Sequence, residues 1–222
     1  MLPAGLIGIA ASFLGRYREF DQCLSKTIIP PNSRTEWYLG LNVAFAFNQL
    51  VRIMLNDPLL QWIWFLGDDH VWAPELLERL IRRNVPVVSP LVTKHSPPFD
   101  LILKRFTGNL QDKTLENLGW EFLAGKTGLL RLENMAVGNA GLLVQREVFE
   151  NLPDPWFQVG FFAPDLGSPD LYFCHLLRSY DIPIYLDTDN TIGHMMHVAS
   201  FPKRYPDGTY GSDLAYVGVN PS

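Results

Sequence analysis

An α/β fold with a mostly parallel central sheet flanked by helices is predicted by three observations on this sequence. Short apolar runs recur at Leu6 to Ser12, Trp62 to Leu66 and Val85 to Val92, as in strands buried on both faces. Stretches with apolar residues at helical spacing separate them, so strand and helix alternate over the first 92 residues. With 222 residues, 47% of them apolar and 13% aromatic, the chain can bury one sizeable core and reads as a single domain, 1–222.

The elements follow in order. Leu6 to Ser12 is the first strand, and Tyr17 to Lys26 is a helix with Phe20, Cys23 and Leu24 on one side. Pro30-Pro31-Asn32-Ser33 forces a loop before a short strand at Trp37 to Leu39. A helix from about Asn42 to Leu55 repeats Ala44, Phe47, Val51 and Met54 at helical spacing, and Asp57-Pro58 stops it. The strand ending at Leu66 follows, then a helix opened by Pro74 and ended near Asn84, then the strand to Val92. After Thr93 the rhythm breaks, and the short apolar runs Leu101 to Leu103 and Leu129 to Leu132 predict a small antiparallel excursion. Ala136 to Val144 reads as one strand, Arg146 to Asn151 and Ser168 to Tyr180 as helices, and Ile182 to Leu186 as a late strand. From Met195 onward the Pro, Gly, Tyr and Lys content predicts an irregular tail over the body.

Composition excludes several function classes. A net charge of −5, from 18 basic against 23 acidic residues, provides no overall attraction to nucleic acid or anionic membrane. Cys23 and Cys174 form no CxxC pair, so neither a zinc ribbon nor a disulfide framework is expected, and a reducing cytoplasmic setting suits the chain. Leu2 to Leu14 lacks a basic flank and is interrupted by Pro3, Gly5 and Gly8, so it reads as a core strand rather than a signal peptide. No run approaches the roughly 18 to 20 apolar residues of a membrane span. GxGxxG after a strand, GxxxxGK[ST], GxSxG and HExxH are all missing, which removes the main support for dehydrogenase, P-loop and hydrolase-elbow readings.

Chemistry concentrates where the apolar run Trp62-Ile63-Trp64-Phe65-Leu66 ends in Gly67-Asp68-Asp69-His70. Ligands of open α/β sheets bind beyond the carboxyl ends of the strands, so these groups stand where a site is expected. Carboxylates suit Mg²⁺ or Mn²⁺, and an imidazole tilts the choice toward Mn²⁺ or another transition metal. The same aspartates would also serve to end the strand and cap the next helix. Three further features follow: the small-residue segment Ala136 to Val144, the helix start Ser168-Pro169-Asp170, and the pair Gly193-His194.

In this order the four features resemble the nucleotide-sugar glycosyltransferases of the GT-A fold, within them the family 2 group, over roughly residues 6 to 197. The resemblance implies a nucleotide-binding half, about 1–92, and an acceptor and metal-completing half, about 93–222. It implies a divalent metal, Mn²⁺ or Mg²⁺, and a nucleoside diphosphate sugar donor, UDP or GDP, with a carbohydrate or other hydroxyl-bearing acceptor. Gly67-Asp68-Asp69-His70 stands in the place of the family's DxD-like motif. Counted from Leu66, the family's first Asp falls on Gly67 and leaves Asp69 as the metal-side acid. Counted by chemistry, Asp68 and His70 form a DxH pair; Asp69 is favoured, with Asp68 also a candidate for the donor diphosphate. His194 corresponds to the late histidine that completes the metal site.

Gly138, Asn139, Ala140 and Gly141, followed by Trp156, correspond to the segment facing donor sugar and acceptor. Asp170 corresponds to the catalytic base of inverting members, which takes the proton of the acceptor hydroxyl. Pro169 replaces the family's Glu there, and Ser168, Pro169 and Asp170 also suit a plain helix start. Ala11 and Ser12, with Asn42 and Asn48, sit where the family contacts base and ribose, although the two asparagines would equally cap or solvate a helix. His197, Lys203 and Arg204 would supply positive charge to the diphosphate. Lys94 and His95 follow the strand after the metal motif, toward the acceptor side. Two other readings of the scaffold are a non-catalytic nucleotide-sugar or carbohydrate-binding module, prompted by Gly67 and Pro169, and a GT-A-like nucleotidyltransferase. The latter expects a Gly- and basic-rich loop after the first strand, of which Ser12 to Arg16 is a faint version.

Overall fold

The computed structural model describes residues 2–11, 17–40, 42–95, 97–108, 114–160, 168–195 and 198–216. In chain order the elements are β1 (Leu6–Ala11), α1 (Arg18–Lys26), β2 (Arg34–Leu39), α2 (Val43–Asn56), β3 (Trp62–Gly67), β4 (His70–Val71), α3 (Leu76–Arg82) and β5 (Val87–Val92). There follow β6 (Leu103–Thr107), β7 (Thr114–Asn117), a 3₁₀ turn (Trp120–Leu123), β8 (Leu129–Leu132), β9 (Met135–Val137) and β10 (Leu143–Gln145). The chain then forms α4 (Arg146–Glu150), α5 (Pro169–Ser179), β11 (Ile184–Met195), β12 (Val198–Arg204) and β13 (Tyr210–Tyr216).

A ten-stranded sheet runs β13-β12-β11-β5-β10-β3-β1-β2, with β4 and β8 also pairing β11, and β7-β6-β9 form a separate small antiparallel sheet. The strand pleat divides the core between the two faces of the large sheet. On β3, Ile63 and Phe65 join Leu50, Val51 and Met54 of α2, whereas Trp62, Trp64 and Leu66 join Phe20, Trp72 and the apolar side of α3. Val87 and Leu91 against Val88 and Val92 repeat the division on β5. Trp62 and Trp64 are fully buried, and their indole N–H groups donate to the carbonyls of Pro3 (3.0 Å) and Gly141 (2.9 Å). Burial of each such side chain contributes about 1.5–3 kcal/mol or more, and these hydrogen bonds remove the cost of the buried polar tip.

Three expectations change. The sheet is mixed: β1 is parallel to β2 and β3, and β5 to β11, but β10 runs antiparallel between β3 and β5. The segment Ala136 to Val144 is therefore not one strand. It splits into β9 in the small sheet and β10 in the large one, and the turn between them places Gly141 at φ +71, which favours glycine. The tail is not irregular either, because β12 and β13 form a hairpin paired onto the end of β11. Its turn uses Asp207-Gly208, with Gly208 at φ +84, a short-range hairpin signal hidden among the prolines and aromatics.

The late strand also runs further than expected, to Met195, across an irregularity between Asp187 and Thr191. Arg83 holds that irregularity, donating from Nε and Nη2 to the fully buried Asp187 (both 2.7 Å) and from Nη2 to Asp189 (2.9 Å). The hydrogen bonds that Arg83 donates to Asp187 raise its guanidinium above the ordinary value. Arg83 thus supplies the charge partner of the buried Asp187 at the point where the pairing with β5 shifts. Both cysteines are free thiols. Among the described residues, no helix is long and apolar enough to cross a membrane.

Candidate functional site

Beyond Gly67 the chain turns and forms the two-residue strand β4, which pairs antiparallel with the far end of β11, His70 opposite His194 and Val71 opposite Gly193. The amide of Met195 also donates to the Asp69 carbonyl (2.6 Å). This pairing brings two segments more than a hundred residues apart into one cluster of Asp69, His70 and His194, with candidate ligand atoms all within 4.8 Å of one another. Asp69 Oδ2 is 3.0 Å from His194 Nε2, and Asp69 Oδ1 is 3.5 Å from His70 Nε2. The His95 ring lies edge-on to His194, with centroids 5.0 Å apart, at the same separation as His70 from His194.

The outer partners orient both imidazoles. His194 Nδ1 is 3.0 Å from the Thr93 carbonyl, an acceptor, so Nδ1 carries a proton and Nε2 is presented to Asp69. That is the arrangement of metal-ligating histidines, whose second nitrogen donates to a carbonyl or carboxylate. The Gly67 N–H donates to His70 Nδ1 (3.0 Å). Burial works against a charged Asp69, but the hydrogen bond from His194 and the positive charge of the two imidazoles outweigh it and hold the carboxyl at about 2. Burial lowers His70 to about 4, against the pull of Asp69. Burial also opposes a charged His194, yet the hydrogen bond and charge of Asp69 prevail and raise it. A carboxylate joined by imidazole suits Mn²⁺ or another transition ion better than Mg²⁺. The 3.0 Å between Asp69 Oδ2 and His194 Nε2 fits adjacent ligands on an octahedral ion, which at bonds of about 2.1 Å stand about 3.0 Å apart.

A second group surrounds the turn between β9 and β10. This turn is fastened to β3, because the Gly141 N–H donates to the Phe65 carbonyl (3.0 Å) and the Trp64 indole to the Gly141 carbonyl. Gly138 lies beside Asp170 at the start of α5; a Cβ there would stand 3.6 Å from Asp170 Oδ2 and 2.8 Å from Ile102. Burial raises the Asp170 carboxyl above the ordinary carboxylate range, although Ser168, the Leu171 amide and Lys104 all favour its charged form. Asn139 is only 9% exposed, and among the described residues neither its amide oxygen nor its nitrogen has a hydrogen-bond partner. A buried amide with nothing to bond is costly, and a polar ligand is the simplest partner for it.

The remaining candidates are distributed as follows. Ala11 closes β1 one residue beyond the Ala10–Gly67 register, so it stands beside the Gly67 turn. Asp68 lies in that turn, outside the Asp69, His70 and His194 cluster. Ala140 is buried next to Gly141 in the β9–β10 turn. Three residues have other uses. Asn42 caps α2, accepting from the Phe45 amide (3.0 Å). Asn48 clamps a neighbouring segment, accepting from the amides of Trp156 and Phe157 and donating to the Phe157 carbonyl. Trp156 is buried in the core against Phe149, and its indole donates to the carbonyls of Phe149 and Leu152. Lys203 pairs with Asp213 across the hairpin (2.8 Å), and Arg204 is exposed beside it. Ser12 and His197 lie outside the described residues. The Thr93 carbonyl that orients His194 had no signal in the sequence, since any residue supplies one.

No protein-family model and no curated protein matches the chain. Solved structures do. The crystal structure of A197 from STIV superposes with a TM-score of 0.58 at 14% identity, covering 99% of this chain and 97% of that one. The crystal structure of GalNAc-T7 with UDP, GalNAc and Mn²⁺ superposes with a TM-score of 0.54 at 11% identity, covering 99% of this chain and 45% of that longer one. The chain thus has a glycosyltransferase-like fold, a mixed α/β sheet with a small antiparallel sheet beside it, and carries a candidate Asp-His-His metal site within it.

Proposed function

We propose that this chain is a metal-dependent GT-A glycosyltransferase, family 2-like, which moves a sugar from a nucleoside diphosphate sugar to an acceptor hydroxyl with inversion. The observation that carries this reading is the convergence of Asp69, His70 and His194 beyond the carboxyl end of β3. The bound UDP and Mn²⁺ of the GalNAc-T7 structure support the choice of donor class and metal. The cluster fits a divalent ion, which when bound would neutralise negative charge developing on the diphosphate leaving group. Ala11 and Asp68 flank the same turn and are the proposed diphosphate-side contacts.

The remaining chemistry falls to the group around the β9–β10 turn. Gly138, lacking a side chain, leaves room beside Asp170 for an acceptor, and the Asn139 amide is the proposed contact for a sugar hydroxyl or acetamido group. Asp170 takes the proton from the acceptor hydroxyl as its oxygen bonds to the anomeric carbon and the nucleoside diphosphate departs. Its raised pKa keeps it a stronger base than an exposed carboxylate.

A thermal-shift screen of UDP-, GDP-, CDP- and TDP-sugars with and without Mn²⁺ tests the reading, because a ligand raises apparent stability according to its affinity. A metal-dependent shift with one nucleotide, followed by release of the nucleoside diphosphate on turnover, is expected. Asp69→Ala is expected to abolish both. Asp170→Asn is expected to lower turnover by about 10²–10⁴ with donor affinity retained. Release of pyrophosphate from a nucleoside triphosphate would replace this reading with a nucleotidyltransferase, and binding without turnover would replace it with a binding module. A product retaining the donor's anomeric configuration would remove Asp170 from the base role.

A further inference from the structure

We propose that His70 is a positioning residue, which holds the Asp69 carboxylate in place for the metal rather than binding the ion, so that this cluster contributes two protein ligands, Asp69 and His194. The inference rests on the metal-site reading above and departs from the DxH pattern of the sequence, in which His70 would be a ligand.

Hydrogen bonding separates the two histidines. The Gly67 N–H donates to His70 Nδ1 at 3.0 Å, so that nitrogen uses its lone pair and carries no proton. The ring's proton therefore sits on Nε2, the nitrogen that faces Asp69 Oδ1 at 3.5 Å. A protonated nitrogen cannot ligate a metal. Moving the proton to Nδ1 would set it against the Gly67 N–H, two donors face to face in a pocket where His70 is 5% exposed. Gly67 cannot swing away, because it is in register with Ala10 in the β1–β3 ladder. His194 has the opposite arrangement. Its Nδ1 donates to the Thr93 carbonyl, which leaves Nε2 facing Asp69 Oδ2 at 3.0 Å. Two acceptors at that distance call for a cation between them, whether a proton or a metal.

The packing agrees with the hydrogen bonds. A Cβ at Gly67 would meet Asp69 Oδ1 at 2.8 Å and His70 Cε1 at 3.2 Å, so carboxylate and ring both lie folded against this one residue. Counted from Leu66, the resemblance would put an acid at Gly67, where a side chain would take the space of the His70 ring. Gly67 and His70 thus act together as the support of Asp69.

Electron spin-echo envelope modulation of the Mn²⁺-loaded chain, with and without ¹⁵N-labelled histidine, counts the histidine nitrogens on the ion directly. One is expected in the wild type, retained in His70→Gln, whose amide can present an N–H toward Asp69, and lost in His194→Gln. Two nitrogens in the wild type would overturn the proposal without harming the metal site, and that measurement requires no variant to fold. Mn²⁺ affinity by calorimetry provides the second readout: His70→Ala is expected to weaken binding about 10–100-fold, with His70→Gln restoring most of it. Unchanged affinity in His70→Ala would also overturn it. A wild-type chain that binds no Mn²⁺ at all would remove the metal reading itself.

Discussion

Replacing Gly67 by alanine places a methyl group where no atom fits. The added carbon would lie 2.8 Å from Asp69 Oδ1, and ordinary contact begins at 3.4 Å, so the carboxylate must move by about 0.6 Å. The His70 ring, at 3.2 Å, must move by about 0.2 Å, which strains its hydrogen bond from the Gly67 amide. Metal–ligand distances tolerate only about 0.2 Å, so the carboxylate shift is several times too large. The expected loss of Mn²⁺ affinity is about 10–100-fold, or about 1.4–2.7 kcal/mol. Overpacking should also cost about 1–3 kcal/mol in the metal-free protein. For a chain of this length that lowers the melting temperature by roughly 2–4 °C per kcal/mol. Calorimetric titration with Mn²⁺ and melting of the metal-free protein measure the two effects separately. A Gly67→Ala variant with wild-type affinity would refute the reasoning, and so would a gain in affinity in Gly67→Asp, which restores the acid but not the space.

Three other expectations follow from the same contacts. Arg83→Ala leaves the fully buried Asp187 without its guanidinium partner, so urea unfolding should show a loss of about 3–5 kcal/mol, and Arg83→Lys should not recover it, because an ammonium cannot form the two-pronged contact; a loss below about 1 kcal/mol would show that the pair is not what holds the β11 irregularity. Asn139→Leu removes two buried polar atoms that have no partner among the described residues, so it should stabilise the ligand-free protein by about 1 kcal/mol while reducing the thermal shift from the donor; an undiminished donor shift would take Asn139 out of the site. The pH response of the metal-free cluster follows from three shifts. Burial lowers His70 to about 4, so its contribution is present above the ordinary 6.5 and is lost as pH falls from there toward 4. His194 is raised, so its contribution is complete below the ordinary 6.5 and is lost as pH rises through the raised value. Asp69 is lowered, so its contribution is present above the ordinary 3.8 and is lost as pH falls through about 2. The pair therefore stabilises most between these ordinary values, and since a metal must displace the His194 proton, Mn²⁺ affinity should rise with pH through the His194 titration. A flat affinity profile across that range would contradict it.

Much of the fold was legible because its signals are local. The helix α2 follows from Ala44, Phe47, Val51 and Met54 at helical spacing, and β3 from an apolar run that ends at Gly67. The division of the Ala136 to Val144 segment was not legible, since small and apolar residues suit one strand as well as two. The C-terminal hairpin was hidden in a stretch rich in breakers, although Asp207-Gly208 was its turn. In the site, asparagines at plausible positions proved ambiguous. Asn42 and Asn48 became a cap and a clamp, because amide side chains satisfy backbone groups as readily as ligands.

The sequence by itself determined an α/β chain with an acidic, imidazole-bearing turn at the end of a buried strand and a second histidine far downstream. Periodicity and residue chemistry are local properties, and they survive without coordinates. Only the tertiary structure decided that Asp69 rather than Asp68 joins His194, that Gly67 is the floor under the Asp69 carboxylate and the His70 ring, and that Arg83 holds the acidic irregularity through which β11 reaches β4. Each of these depends on which strand pairs with which, and strand pairing joins residues that no window along the chain contains.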